Sequence, residues 1–260
     1  MITLTFTEKT AIITGAGSGF GRATARMLAQ CGARIVGVDR NVKALAETMA
    51  TLAGTGHISI VKDLRPARAA NEVIAEAMTH LPRLDILVNS AGVCHFTPAN
   101  KITPEQWDEV LEIDLKALYF LAVAAAEAMD PRHGGRIINL GSNAGRKGRA
   151  FSAHYAAAKA GVANVTESLA LAYGKKGVTV NNVCPAVVLT DMWERNFEEL
   201  GKITGKSSEE LVRNWTAATP LQRLGTAEDV ANLILFLASD RGGFITAQEI
   251  NVCGGFMLTC

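Results

Sequence analysis

A tyrosine and a lysine four positions apart are the first residues in this sequence whose types and spacing allow chemistry. Tyr155 and Lys159 enclose three alanines, in a stretch free of helix-breaking residues. Residues i and i+4 share one face of a helix, so the phenol and the ammonium can reach the same cleft. A phenol has a pKa of about 10, and a neighbouring cation lowers it because it favours the phenolate. The pair therefore predicts a general acid or base that moves a proton on or off an alcohol oxygen.

A glycine-rich turn lies between a predicted strand, Thr10–Thr14, and a predicted helix, about Gly19–Cys31. Glycines allow a tight turn and close approach to a diphosphate, and the start of a helix supplies free N–H groups. No Lys-Ser or Lys-Thr pair follows the glycines, so the turn differs from the phosphate loop of nucleoside triphosphatases. The cofactor-binding residues predicted in this turn are Gly15, Ser18, Gly19, Phe20 and Gly21.

An acidic residue, Asp39, ends the second predicted strand. A carboxylate in that place hydrogen-bonds both ribose hydroxyls of NAD and repels the 2′-phosphate of NADP. No lysine or arginine lies between Gly15 and Gly21 to attract that phosphate, although Arg40 partly offsets the repulsion. These features predict NAD as the cofactor.

Short apolar runs alternate with helical stretches over the whole chain. The runs show little polar alternation, which is typical of parallel strands covered by helices on both faces. We therefore expect an α/β fold, a doubly wound parallel sheet (Rossmann fold) of about seven strands, in a single domain over residues 1–260. A substrate lid is predicted at about residues 190–218. The predicted strands are Thr10–Thr14, Arg34–Val38, His57–Val61, Leu84–Val88, Gly135–Leu140, Val178–Val183 and Ala247–Val252. The predicted helices lie near Gly19–Cys31, Val42–Leu52, Ala67–His80, Pro104–Met129 and Ser152–Tyr173, with a mixed helical region ending near Ser239.

Composition excludes several classes of function. The 26 basic and 25 acidic residues nearly balance, which gives no attraction to nucleic acid or to an anionic membrane. Five cysteines without a CxxC pair and five scattered histidines predict no metal site. No apolar run reaches the roughly 18 residues of a membrane span, and Met1–Thr7 has no leader pattern. We expect a cytoplasmic protein with free thiols, a small-molecule substrate, no nucleic-acid partner and no membrane.

The spacing Thr14-Gly-x-x-x-Gly-x-Gly21, with the tyrosine and lysine downstream, resembles the short-chain dehydrogenase/reductase family. Other stretches match this family in order across nearly the whole chain: Asp63-Leu64, Asn89-Ser-Ala-Gly92 and Pro185-Ala-x-x-x-Thr190. Ala186 replaces the family's usual glycine, a departure that bears on the local backbone. Beyond the turn and Asp39, the resemblance implies cofactor contacts from Asp63, Leu64, Asn89, Ala91, Gly92, Tyr155, Lys159, Pro185, Val188 and Thr190.

The resemblance also implies a catalytic set of four residues. Ser142 stands thirteen residues before Tyr155, the family's spacing for the serine that orients the substrate. Asp114 takes the place of the family's catalytic Asn, which maintains a helix irregularity and a water that links the lysine to solvent. We expect Asp114 to preserve the irregularity and the proton relay while leaving Tyr155 less acidified. The resemblance further implies a homotetramer, and the apolar faces near Ala117–Ala126 and Val162–Leu171 fit such an assembly.

The region around residues 190–193, the lid and the ending Gly254–Met257 resemble the family's polyol, sugar-alcohol and diol dehydrogenases. We therefore expect a secondary alcohol of a polyol, sugar or diol to be interconverted with its ketone by hydride transfer. The predicted substrate contacts are Ser142, Asn143, Tyr155, Trp193 and Arg146.

Arg146, Lys147 and Arg149 form a basic cluster suited to a phosphate, sulfonate or carboxylate, and the alternative is a solvated loop or a subunit contact. His95 and His154 flank the predicted pocket.

Two other functions stay open. A 3-oxoacyl thioester reductase that uses NADPH has the same catalytic residues, and Asp39 counts against it. A catalytically silent dinucleotide-binding protein keeps the fold without the reaction. The intact Ser142, Tyr155 and Lys159 argue against this second alternative, whereas Asp114 leaves it open.

Overall fold

The strands of the sheet all run parallel in the computed structural model, which describes residues 4–257. Their bounds are β1 (Thr10–Thr14), β2 (Arg34–Asp39), β3 (Ile58–Val61), β4 (Ile86–Asn89), β5 (Gly135–Leu140), β6 (Val178–Pro185) and β7 (Glu249–Val252). They pair in the order β3-β2-β1-β4-β5-β6-β7. The order reverses between β1 and β4, and ligands bind at such a switch point, beyond the carboxyl ends of the strands.

The helices cover both faces of this sheet, which confirms the doubly wound prediction. Alternate residues of the strands enter two separate cores, as Ile13 and Ile12 of β1 show. Each fully buried Ile or Leu stabilises the fold by about 1.5–3 kcal/mol. Helices α1 and α9 pack on one core, and α3, α5 and α6 pack on the other. The helix bounds are α1 (Gly19–Gln30), α2 (Val42–Met49), α3 (Ala69–His80), α4 (Pro104–Leu111), α5 (Leu118–Ala128), α6 (Ala153–Tyr173), α7 (Asp191–Thr204), α8 (Ser208–Ala218) and α9 (Ala227–Ala238).

The helix predicted near Pro104–Met129 contains a π-helical turn, Glu112–Ala117, between α4 and α5. This turn is the irregularity expected around Asp114. Several other elements are a few residues shorter than predicted. The last strand begins at Glu249 rather than Ala247, because Ala247 adopts a left-handed backbone with φ of 59°. The third strand begins at Ile58, because the ring of His57 accepts a hydrogen bond from the Ile35 amide.

The region predicted as a substrate lid, and called the lid region below, folds as two helices, α7 and α8, joined by a short connection. Gly205 ends α7 with φ of 73°, a left-handed conformation that suits glycine, and Ser207 caps α8 by accepting the amide of Glu210. A third apolar cluster, of Val187, Phe197, Leu200, Leu211 and Leu224, packs these helices against the segment after β6. The lid therefore has its own small core above the carboxyl edge of the sheet.

Candidate active site

One cavity of about 560 Å³ follows the carboxyl edge of the sheet from the end of β2 to the start of α6. It passes the switch point between β1 and β4 and continues beneath α7 and α8. It brings together most residues proposed from the sequence: Gly15, Ser18, Gly19, Phe20, Asp39, Asp63, Leu64, Ala91, Gly92, Ser142, Asn143, Tyr155, Pro185, Thr190 and Trp193 all line it. Six others, Gly21, Asn89, Asp114, Arg146, Lys159 and Val188, are not among its lining residues.

The glycine turn is closely packed, and its shape fits a diphosphate. Gly15 has φ of 66°, and a Cβ there would lie 3.0 Å from the Ala91 amide nitrogen. A Cβ at Gly21 would clash with the carbonyl oxygen of Gly15, so Gly21 lies behind the cavity and supports the turn. The hydroxyl of Thr14 accepts the Ala91 amide at 3.1 Å and fixes the facing loop. Backbone rather than side chains therefore surrounds the space in which a diphosphate would bind.

Asp39 is held at the end of β2 by two backbone amides. Its Oδ2 accepts from Gly17 at 2.9 Å, and its Oδ1 accepts from Asn41 at 2.8 Å. Each carboxylate oxygen has a second lone pair, so the group can still accept from ribose hydroxyls. Lys62, which sequence reasoning missed, also lines this end of the cavity, but its Nζ pairs with Glu72 at 2.5 Å. The residues at this end fit the adenosine half of a nicotinamide dinucleotide.

Asp63 lies beside this end of the cavity and binds Arg65. The Arg65 Nε donates to Asp63 Oδ2 at 2.9 Å, and this hydrogen bond lowers the pKa of the Asp63 carboxyl. Leu64 follows it and adds an apolar side chain to the lining. Asp63 is therefore ionised and able to accept a hydrogen bond from an adenine amino group.

Two residues proposed as cofactor contacts lie in the core instead. The Asn89 amide donates to Asn139 Oδ1 at 3.0 Å and to the Leu118 carbonyl at 3.3 Å. Val188 is 1% exposed and pairs by its backbone with Gly225. Both residues lie next to cavity-lining neighbours, and their own side chains hold the sheet and the lid connection in place.

The lysine of the Tyr-Lys pair is buried and has two partners. Lys159 Nζ donates to the Leu140 carbonyl at 2.7 Å and forms an ion pair with Asp114 Oδ1 at 2.9 Å. The same Nζ is 5.5 Å from the centre of the Tyr155 ring. The positive charge of Lys159, which the sequence predicts beside Tyr155, is therefore balanced by the carboxylate of Asp114. That carboxylate is itself fully buried.

Asp114 connects three parts of the site. Its Oδ2 accepts the Val93 amide at 2.9 Å, and a Cβ on Gly92 would lie 2.7 Å from its Oδ1. Burial raises the pKa of Asp114, and the ammonium of Lys159 opposes that shift. The carboxylate thus joins the π-helical turn to the loop after β4 and to Lys159.

Tyr155 is half-buried at the catalytic end of the cavity. Burial raises its pKa well above the usual value, the nearby Cys94 and Asp114 add to the rise, and a hydrogen bond with Ser142 opposes it. Ser142 also accepts the Ala144 amide at 3.1 Å, which fixes its hydroxyl. The phenol is therefore protonated in the absence of a ligand.

The basic cluster is divided by the fold. Arg146, a predicted substrate contact, lies outside the cavity because its Nη2 pairs with Glu249 of β7 at 3.1 Å. Lys147 is exposed to solvent. Arg149 is half-buried and lines the cavity, where its Nη2 donates to Asn143 Oδ1 at 3.1 Å. Only the last of the three cations therefore faces the catalytic end.

Aromatic rings form the lid side of the cavity. Trp193 lies 5.9 Å from Phe96 and 6.1 Å from Trp215 between ring centres, and all three line the cavity. The sequence indicated Trp193 alone as a contact, because Phe96 and Trp215 come from distant segments. His95 also lines the cavity and pairs with Glu109 at 3.4 Å, whereas His154 is fully buried outside it.

A parallel sheet of this order, with a glycine turn and a serine–tyrosine pair at its switch point, defines a dinucleotide-dependent oxidoreductase. A family model described as enoyl-(acyl carrier protein) reductase matches residues 15–257. A sorbitol dehydrogenase from Cereibacter sphaeroides is 35% identical over 95% of this chain and 96% of its own. The 3-oxoacyl-[acyl-carrier-protein] reductase FabG of Escherichia coli (strain K12) is 32% identical over 98% of this chain and 100% of its own. The crystal structure of levodione reductase superposes with a TM-score of 0.91 at 28% identity, covering 96% of this chain and 98% of that one.

This chain therefore belongs to the short-chain dehydrogenase/reductase family. Its members bind a nicotinamide dinucleotide and transfer a hydride, so the protein is an oxidoreductase of that kind. Among residues 4–257, no helix is long and apolar enough to cross a membrane. No group of three or more described His, Cys, Asp or Glu side chains is placed to hold a metal ion.

Proposed function

We propose that this protein is an NAD-dependent dehydrogenase that interconverts a secondary alcohol of a polyol, sugar or diol and its ketone. One observation carries the proposal: a single cavity contains Asp39 at one end and both Ser142 and Tyr155 at the other. The bound nicotinamide would supply the hydride acceptor or donor. The proposed cofactor contacts are the cavity-lining residues of the glycine turn, Asp39, Asp63, Leu64, Ala91, Gly92, Pro185 and Thr190.

The chain's own residues then move the proton. The Ser142 hydroxyl orients the reacting oxygen and stabilises charge that develops on it. Tyr155 accepts the alcohol proton during oxidation and returns it to the ketone oxygen during reduction. Lys159 is held by Leu140 and Asp114, so its role is to position the tyrosine and pass a proton toward the loop after β4.

The choice of NAD depends on Asp39 and on its basic neighbours. The 2′-phosphate of NADP would lie against the Asp39 carboxylate, and Lys62 is already paired with Glu72. Arg40 is exposed beside the cavity and is the remaining cation at this end among the described lining residues. The similarity to the sorbitol dehydrogenase supports the polyol class, whereas the similarity to FabG supports the 3-oxoacyl reductase alternative.

A cofactor and substrate survey tests the proposal. Purified protein is assayed with NAD and NADP against polyols, sugars and diols, and with NADH and NADPH against a 3-oxoacyl thioester, by following the absorbance of reduced nicotinamide. We expect turnover with NAD and a secondary alcohol. Asp39→Ser should lower kcat/KM for NAD by roughly 10-fold or more, since it removes the ribose contact.

Two results would favour the alternatives. Faster reduction of the thioester with NADPH would support the acyl reductase. Preserved NAD binding without turnover on the whole panel would support the silent protein, and a Tyr155→Phe variant with unchanged turnover would reject the proposed proton transfer.

We also propose the homotetramer that the family resemblance implies. Tyr119 and Phe120 of α5 and Leu171 of α6 are exposed apolar side chains on the long helices that would form its interfaces. Analytical ultracentrifugation tests this assembly. The described cysteines are free thiols, and a cytoplasmic location stays a prediction from the cysteine pattern.

A further inference from the structure

The cavity contains a cation that the proposed reaction does not use. Arg149 lies in the loop between Ser142 and α6, half-buried, and lines the catalytic end. Among the side chains that the structure describes, no carboxylate lies within ion-pair distance of its guanidinium. Because Arg149 is half-buried, it has lost part of its hydration, and this burial lowers its pKa. A partly desolvated cation without a counter-ion is costly, and a bound anion would offset that cost.

A hydrogen bond with Asn143 fixes the guanidinium of Arg149 at the catalytic end of the cavity. Its Nη2 donates to Asn143 Oδ1 at 3.1 Å, and Asn143 itself is 6% exposed. A guanidinium has no acceptor atoms, so this contact fixes the orientation of the Asn143 amide as well. The titratable groups that bear on Arg149 are Tyr155 and Cys94, both of which line the cavity. An anion bound to Arg149 would therefore lie in the same part of the cavity as the hydroxyl of Tyr155.

The other charges at this end are balanced or solvated. Arg146 pairs with Glu249 outside the cavity, and His95 pairs with Glu109. Arg195 lines the mouth but is exposed to solvent. A single half-buried guanidinium matches the single charge of a carboxylate and its planar pair of oxygens. A phosphate carries nearly two charges and calls for more cations than this end of the cavity supplies.

We propose that the substrate is a hydroxy acid, interconverted with its keto acid, and that Arg149 binds its carboxylate while Asn143 positions the guanidinium. This assignment rests on the proposed function and narrows its substrate class to secondary alcohols that carry an acid group. The rings of Phe96, Trp193 and Trp215 line the same cavity and would contact the carbon skeleton.

A matched pair of substrates tests the assignment. Short-chain 3-hydroxy carboxylates and their primary amides are oxidised with NAD, and kcat and KM are measured for wild type, Arg149→Gln and Arg149→Lys. We expect wild type to prefer the acid. Arg149→Gln should lower kcat/KM for the acid by roughly 10- to 100-fold, mainly through KM, and change the amide by less than about threefold. Arg149→Lys should restore part of the loss.

The matched control is Lys147→Gln, which removes the same charge from an exposed position in the same loop and should leave both substrates unchanged. Equal losses on acid and amide in Arg149→Gln would overturn the proposal, because Arg149 would then support the loop. A phosphate ester preferred over the carboxylate, with that preference lost in Arg149→Gln, would overturn the choice of carboxylate.

A binding experiment separates this proposal from the proposed function. If no alcohol is turned over, titration calorimetry of the same 3-hydroxy carboxylate into the enzyme–NADH complex still reports on Arg149. Binding that is lost in Arg149→Gln and kept in Lys147→Gln supports the anion site without the reaction. Equal binding to all three proteins, or binding to none, rejects it.

Discussion

Replacing Asp114 by asparagine should change the pH at which the enzyme works. Asp114 Oδ1 lies 2.9 Å from Lys159 Nζ, and both side chains are buried. The asparagine amide oxygen can still accept the Val93 amide, so the π-helical turn and the loop after β4 keep their contact. The substitution therefore removes one negative charge from beside the lysine and leaves the rest of the site in place.

The size of the effect follows from the distance between Lys159 and Tyr155. Nζ is 5.5 Å from the centre of the tyrosine ring. At an effective dielectric constant of about 20, unit charges at this separation interact by roughly 3 kcal/mol, which equals about two pKa units. In the wild type the negative charge of Asp114 cancels much of this interaction. Removing that negative charge should lower the pKa of Tyr155 by about one to two units.

Alcohol oxidation requires the deprotonated tyrosine, so kcat/KM rises as pH rises through the pKa of Tyr155. In Asp114→Asn the lower pKa of Tyr155 therefore moves the rise of kcat/KM for oxidation toward lower pH. The fall of kcat/KM for ketone reduction at high pH also moves toward lower pH. The assay is kcat/KM for one alcohol and NAD across pH. Asp108→Asn, an exposed carboxylate on α4, is the control and should leave the profile in place. An unmoved limb in Asp114→Asn would refute the electrostatic reasoning and leave Asp114 a structural role.

Two further substitutions test how the site is supported. Gly21→Ala should weaken NAD binding at least roughly 10-fold by calorimetry, because its Cβ would clash with the Gly15 carbonyl and displace the turn, whereas Gly174→Ala has open space and should bind normally. Asn139→Ala should lower the free energy of unfolding in urea by about 2–4 kcal/mol with little change in KM, since it leaves Asn89 and Thr166 without their buried partner. Tight NAD binding in Gly21→Ala, or unchanged stability in Asn139→Ala, would contradict these assignments.

The sheet and the glycine turn were predictable because their signals are local. Continuous apolar runs mark the strands, and the turn's glycines follow β1 directly in the sequence. The tyrosine and lysine share a helix face wherever that helix packs. Asp39 was also predictable at the end of a strand, because it directly follows Val38, the last apolar residue of that strand. These features require no knowledge of which distant segments meet.

The partners of the charged residues were not predictable, because they come from distant segments. Lys159 meets Asp114 only once the π-helical turn packs beside α6. Arg146 and Arg149 are three residues apart, but only Arg149 lines the cavity. Arg146 lies outside it because it pairs with Glu249, which comes 103 residues after Arg146 in the chain. The aromatic side of the cavity is likewise assembled from the loop after β4 and from two lid helices.

Two cations, Lys159 and Arg149, act on Tyr155, and only the first has a carboxylate partner among the described residues. The charge of Lys159 is neutralised internally by Asp114, so it exerts little net pull on the phenol. Arg149 has no such partner among the described residues and favours the phenolate as long as its own charge is exposed to Tyr155. A bound carboxylate would cancel that second charge and keep the phenol protonated, which is the form that donates a proton to a ketone. The acid group of the substrate would thus supply to Arg149 the negative charge that Asp114 already supplies to Lys159.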